Sequence, residues 1–364
     1  MNLRWTILCA TACLGAGVAP TDDARRLDRR SGAEPLLVFE PVSTVDGLRV
    51  LLRSDGVERT DIVPWDRISR LQAPRGEALE RRISDGIELG TLVWRGRERL
   101  RRGDVVMAAE AFDEASAQLD VAGLLGGLFD RAVMEGRLRA EIGLGRSMRV
   151  LGEAMVVGNL AEQPGSRFEG AAFGPTVIDA DTGLVPGVPP VGDDVAVAAC
   201  ETLFEARPAG DADDQRRRDL WLRILQRDGV AVEGRRPDRE DEGAVMLWNL
   251  ARLDDPDADV RGAARRALLE VKGTTPDWIV LWSRFFAGRA SITHAAGDED
   301  LLRGILDLMY IVAREGAAPP ILRAESIRLL VDTLRILDRD AEASIFESIS
   351  QRRPNGRRLS EPSS

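Results

Sequence analysis

Residues 253–271 read LDDPDADVRGAARRALLEV, and no stretch constrains the fold of this chain more. Asp254 or Asp255 is expected to cap a helix, because a short carboxylate accepts the unpaired N–H groups of the first turn. Pro256 suits the first helical position, where its missing N–H costs nothing. Asp257 and Asp259 then lie where negative charge complements the helix dipole. Val260, Ala263, Ala264, Ala267, Leu268 and Val271 recur at helical spacing and form one apolar stripe. Three of the six are alanine, so a neighbouring helix can approach closely. Upstream, Ala244, Leu247, Trp248, Ala251 and Leu253 mark a partner helix, and the short connection predicts an antiparallel pair.

This hairpin resembles a HEAT repeat over residues 243–273. The pattern D-x-x-V-R-x-A-A-x-x-A-L, Asp257 through Leu268, carries the resemblance. It implies that Arg261 joins a polar ladder between neighbouring repeats. No other segment copies the pattern well, so a long regular array is not expected. Residues 94–119 resemble one tetratricopeptide unit, with Gly96 in the first helix, Gly103 and Asp104 at the turn, and Ala108, Phe112 and Ala115 in the second. The late aromatic of the first helix and the terminal proline are missing. Such units bury their faces only against neighbours, which residues 124–160 are placed to supply.

A share of aromatic residues as low as 5 %, with one tyrosine, suits alanine- and leucine-packed helices better than a β-sandwich. The expected fold class is mainly α, built of irregular helical hairpins of tetratricopeptide and HEAT type. A small N-terminal β module, SH3-like or a β-meander, precedes them. That module spans residues 35–72. Leu36 to Phe39 form a short apolar strand, and Leu48, Val50 and Leu52 alternate with polar neighbours. Ser54-Asp55-Gly56 signals a hairpin, and a second strand runs through Ile62 and Val63. Trp65 is read as core of this module rather than as a ligand platform.

Residues 1–19 read as a secretory signal: Arg4 is followed by an uncharged run from Trp5 to Ala19, too short and small for a membrane span. Ala12-Cys13 resembles a lipoprotein site only in part. Cys9 and Cys13 would leave with the signal, so Cys200, preceded by Ala196 to Ala199, is expected as a lone buried thiol. The expected location is outside the cytoplasm, periplasmic or associated with the cell envelope. With 60 acidic against 50 basic residues the net charge is −10, which argues against nucleic acid as a partner. Lys272 is the only lysine, a bias of composition rather than a sign of function.

The rest of the chain divides by composition. Residues 20–34 read as a mobile linker, 76–163 as the tetratricopeptide-like helical region, and 164–194 as a loop rich in Gly and Pro. Such a long loop is usually functional or disordered. Helices resume over 195–230, a charged linker covers 231–242, and the HEAT-like helical domain spans 243–352. Residues 353–364 read as a disordered tail.

Chemistry is sparse. His294 is the only histidine, which excludes paired-histidine zinc, catalytic or haem sites, and it is read as incidental. No C-x-x-C pair or G-x-S-x-G elbow is present. Residues 143–147 lack the lysine and the spacing of a phosphate loop. Asp254 to Asp259 lack the glycine and distal glutamate of an EF-hand and are read as caps. Arg25, Arg26, Arg29, Arg30 and Arg352, Arg353, Arg357, Arg358 read as solvated basic ends. No catalytic, cofactor-binding or metal residue is assigned and no cofactor is expected. The leading expectation is a non-enzymatic scaffold that binds another protein. The alternatives are a binder of cell-wall polysaccharide through the β module and a carboxylate-pair hydrolase beside the Gly/Pro-rich loop.

Overall fold

The computed structural model describes residues 24–54, 56–73, 79–159, 168, 177–227, 229–270, 275–314 and 316–350. The signal-like segment, the C-terminal tail and the first part of the Gly/Pro-rich loop, apart from Phe168, lie outside them. The protein is mainly α with an N-terminal antiparallel sheet. The strands are β1 (Arg25–Arg29), β2 (Leu36–Ser43), β3 (Gly47–Ser54), β4 (Val57–Pro64) and β5 (Ile68–Gln72), in the order β4-β3-β2-β1-β5. A plain meander would leave the first and last strands at opposite edges. Here β5 pairs with β1 instead.

The expected linker is therefore partly a strand. Leu27 is the only apolar residue of β1, and it is fully buried. Backbone pairing with β2 and β5 on both sides supplies what β1 lacks in hydrophobic pattern. Nor are its arginines a loose basic end. Arg26 pairs with Asp28 at 2.8 Å, Arg29 donates to the Glu34 carbonyl, and Arg30 donates to Thr91 Oγ1 at 2.6 Å. β2 bends at Glu40, whose φ of 47° marks a bulge between two registers with β3. The β3–β4 hairpin closes with Ser54 opposite Val57, and Gly56 takes φ 78° in the turn.

The sheet is not a separate module. Leu27, Val38, Leu48, Val50, Trp65, Ile68 and Leu71 share one core with the first three helices: α1 (Arg81–Arg101), α2 (Val105–Gln118) and α3 (Leu128–Gly143). Trp65 is fully buried, as expected of a core residue, and its indole donates to the Thr44 carbonyl at 3.1 Å. Gly86 and Gly90, one turn apart on α1, make room for it. A Cβ at Gly86 would sit 2.8 Å from the indole ring, and one at Gly90 2.2 Å from the Trp65 carbonyl oxygen.

In the α1–α2 hairpin Gly103 takes φ 77° and Asp104 caps α2 through Met107 N–H. Ala108, Phe112 and Ala115 are buried as their spacing predicts. The Phe112 ring lies where a Cβ on Gly96 or Gly136 would be, at 2.7 and 2.2 Å. α3 then turns its other face, Met134 and Leu138, to a second core. That core takes in α4 (Leu151–Asn159), α5 (Asp194–Ala206), α6 (Ala212–Gln226), α7 (Glu242–Ala251), α8 (Ala258–Leu269), α9 (Asp277–Thr293), α10 (Asp298–Ala313), α11 (Pro320–Ile336) and α12 (Asp340–Ser350).

Residues 177–193 are packed structure rather than a free loop. Leu184, Val185, Val188 and Val191 are buried in the second core. The Trp282 indole donates to the Pro186 carbonyl at 3.2 Å, and Arg217 Nη1 donates to the Thr182 carbonyl at 3.3 Å.

The hairpin of residues 243–271 differs from its expected detail. Asp257 caps α8, accepting from Asp259 N–H, while Asp255 Oδ1 accepts from Asp257 N–H and Pro256 precedes the cap. The stripe is narrower than its spacing implies: Ala264 and Leu268 are buried, but Ala263 and Ala267 are exposed, and Val271 lies outside the described residues. Arg261 serves its own turn, donating to the Asp255 and Pro256 carbonyls at 2.7 and 2.8 Å. The arginine that crosses between hairpins is Arg265, which reaches the Ala287 carbonyl, Ser291 Oγ and, at 2.5 Å, Asp307 on α10.

Candidate functional site

The segment 179–182, α7, the end of α8 and the start of α9 enclose a cleft of about 560 Å3. Its back wall is held from two sides. Asp179 accepts from Thr182 N–H and Oγ1–H at 3.0 and 2.9 Å, and from the Trp278 indole of α9 at 3.3 Å. On the other side, α7 touches the segment at Gly243, where a Cβ would lie 1.9 Å from the Thr182 carbonyl oxygen. Only glycine permits that approach.

Among the described residues the cleft carries Asp179, Asp181, Glu242 and Glu270 against one cation, Arg239. Asp179 is occupied by the loop it closes. Asp181, Glu242 and Glu270 are exposed on the rim, and none joins an ion pair among the described residues. Met246 and Leu268 are buried at the floor beside two polar groups. Asn249, 7 % exposed, spends one amide N–H on the Val245 carbonyl at 3.0 Å. Ser283, 1 % exposed, has a buried Oγ with no hydrogen-bond partner in the described protein. A buried hydroxyl without a partner costs about 1–3 kcal/mol, and Ser283 belongs to the lining of the cleft.

A second groove, about 390 Å3, runs between α4 and α5 past Cys200 and Glu153. Its charges are committed to each other. Arg137 pairs with Asp113 at 2.6 Å and closely with Glu153. Arg149 pairs with Glu141 at 3.0 Å, and Arg207 with Asp130 at 2.9 Å. Burial raises the Glu153 carboxyl above its usual range, with Arg137 opposing. Burial, aided by the charges of Glu153 and Glu201, pushes the Cys200 thiol up to about 12. A thiol so placed is a poor nucleophile, and this groove carries packing rather than chemistry.

The residues singled out by sequence fall mainly outside the cleft. His294 Nε2 lies 3.4 Å from Asp254 Oδ1, and Asp254 Oδ2 accepts from Arg289 at 3.3 Å. Asp254 is thus no helix cap but the counter-ion of a buried arginine, whose guanidinium burial lowers to about 10 against the pull of Asp254. Gly145 takes φ 70° in the turn that ends α3, and Arg146 there pairs with Glu141 at 2.7 Å, as a helix terminus needs and a phosphate loop does not. Among the described residues no three His, Cys, Asp or Glu side chains group as a metal would require.

The cleft itself was only half legible. Proximity to the Gly/Pro-rich loop was expected of any carboxylate site. Glu242 and Glu270 lay hidden among sixty acidic residues, and nothing local marks Ser283 off from other helical serines. No family model matches the chain, and no curated protein or solved structure matches it.

Proposed function

We propose that this chain is a non-enzymatic helical scaffold, exported to the cell envelope, that binds another protein. The observation that carries the reading is the cleft between residues 179–182 and α7–α9. It is open to solvent and acidic at its rim, and the Trp278 indole braces its wall by donating to the Asp179 carboxylate. Sites of this kind hold a partner by shape and charge. The resemblance of residues 243–273 to a HEAT unit and of 94–119 to a tetratricopeptide unit belongs to the same reading, since such units present surfaces.

The test is capture of a discrete partner. Tagged full-length chain is expressed in its source cells, cross-linked in place and recovered from the envelope fraction. One protein enriched reproducibly, and lost when Asp181 and Glu270 are both neutralised, is the expected result. Recovery from the cytoplasm alone, or no enrichment over a tag control, overturns the reading.

A second reading, a carboxylate-pair hydrolase, draws on the same rim, because Asp181, Glu242 and Glu270 are exposed beside residues 177–193 and join no ion pair among the described residues. It requires turnover of a glycoside or ester that Asp181→Asn or Glu242→Gln lowers by at least about 100-fold.

A further inference from the structure

The chemistry of the acidic cleft points to a narrower class of ligand, and the argument rests on the protein-binding role proposed above. We infer that the cleft receives a basic side chain, arginine or lysine, from an extended segment of the partner. Three features meet there. The first is charge: among the described residues four carboxylates face one arginine, and three of them join no ion pair there. The second is hydrogen-bonding polarity. A guanidinium or ammonium only donates. Within the cleft Ser283 Oγ is buried and unpartnered, and the Asn249 amide has given one N–H to the helix, so its carbonyl oxygen remains to accept. The third is the apolar lining of Met246, Leu268 and Ile279 between rim and floor. The methylene stem of a long basic side chain packs on such a surface while its charged head reaches the carboxylates.

A neutral or acidic ligand meets the opposite conditions. An anion would be repelled by the rim, and Arg239, exposed at the edge, is a single counter-charge. An apolar ligand would leave Ser283 unsatisfied. A metal ion finds no cluster of three ligands among the described residues.

The experiment is calorimetric titration of the full chain with a ten-residue Gly/Ser peptide carrying one central arginine. Its partners in the comparison are the lysine peptide, the isosteric and uncharged citrulline peptide, and free spermidine. Arginine and lysine are expected to bind about tenfold tighter than citrulline, and raising salt from 50 to 500 mM to erase most of that preference, since rim charges are screened. Asp181→Asn with Glu270→Gln removes the preference. Arg239→Ala strengthens it, because the one competing cation among the described lining residues is gone. Ser283→Ala weakens arginine binding severalfold while the thermal midpoint stays within a degree or rises. Equal affinity for arginine and citrulline overturns the inference, as does an Arg239→Ala variant that binds more weakly. Tighter binding of spermidine than of either peptide assigns the cleft to a free polyamine and overturns the side-chain proposal. The two readings fail separately. A partner captured equally well by the Asp181→Asn/Glu270→Gln chain leaves the scaffold role standing without the cleft. Charge-selective peptide binding with no envelope partner leaves the cleft chemistry standing without the role.

Discussion

Asp254 illustrates what a single carboxylate does once the chain closes. By local rules it is a capping residue, yet Asp257 takes the cap and Asp254 turns inward to Arg289 and His294. Arg289 comes from α9, 35 residues on, and its Nη1 finds no other partner among the described residues. Breaking a buried pair on one side strands the other charge. Asp254→Asn should therefore destabilise the fold by about 3–5 kcal/mol, and adding Arg289→Met should recover most of the loss. Urea unfolding of the single and double variants checks both. Cys200 is the opposite case, because the small apolar run before it already implied burial. Its thiol, raised to about 12, is almost entirely protonated at pH 8. Iodoacetamide at that pH should label it only after unfolding, as site-resolved mass spectrometry reads directly. The sign of the linkage follows. A folded value above the ordinary 9.0 favours the native state below pH 9, and that contribution is lost as pH climbs towards 12. Wild-type stability should fall across that window by up to about 1.4 kcal/mol per pH unit more than that of Cys200→Ala.

At the scale of elements, helices with strong periodicity were readable and their partners were not. The spacing of Ala108, Phe112 and Ala115 predicts one buried face on α2, and those three residues are buried. That the Phe112 ring needs Gly136 of α3 as well as Gly96 of α1 follows only from the packing. Gly136→Ala should cost at least about 1–3 kcal/mol, since a Cβ 2.2 Å from a buried ring forces α3 to shift, whereas the exposed turn at Gly210 accepts alanine nearly free. Differential scanning calorimetry separates the two. The α8 stripe failed in the other direction. Six positions shared a face, but α9 covers only part of it, and the uncovered side with Ala267 borders the cleft. β1 was missed because a strand with one apolar residue has no period to detect. Its two neighbouring strands, β2 beside it in sequence and β5 about forty residues on, decide it.

At the scale of the whole molecule, the described residues form two cores that meet across α3. Phe129, Val133 and Ala140 face the sheet-bearing core, and Met134 and Leu138 face the helical one. The sheet with Trp65 lends about a third of the first core, and α1, α2, α3 and the turn after α2 lend most of the rest. Residues 24–73 expressed alone should remain unfolded, because Trp65, Leu27 and Leu48 would lose the helical residues that share their core. A proton NMR spectrum with dispersed amide and methyl signals would refute this. The cleft arises at the same scale, from residues 179–182, 239–249, 267–270 and 275–283 brought to one place.

What the chain determined by itself is therefore local: helix and turn positions, the hairpin at Gly56, the dominance of helix, the lone histidine. These depend on interactions within a turn or two, where residue identity suffices. The tertiary structure alone decided which charges pair, which stripes stay uncovered, and where acidic residues converge on an unsatisfied hydroxyl. Each of those depends on segments tens of residues apart meeting at distances of a few ångströms, and no local pattern carries that distance.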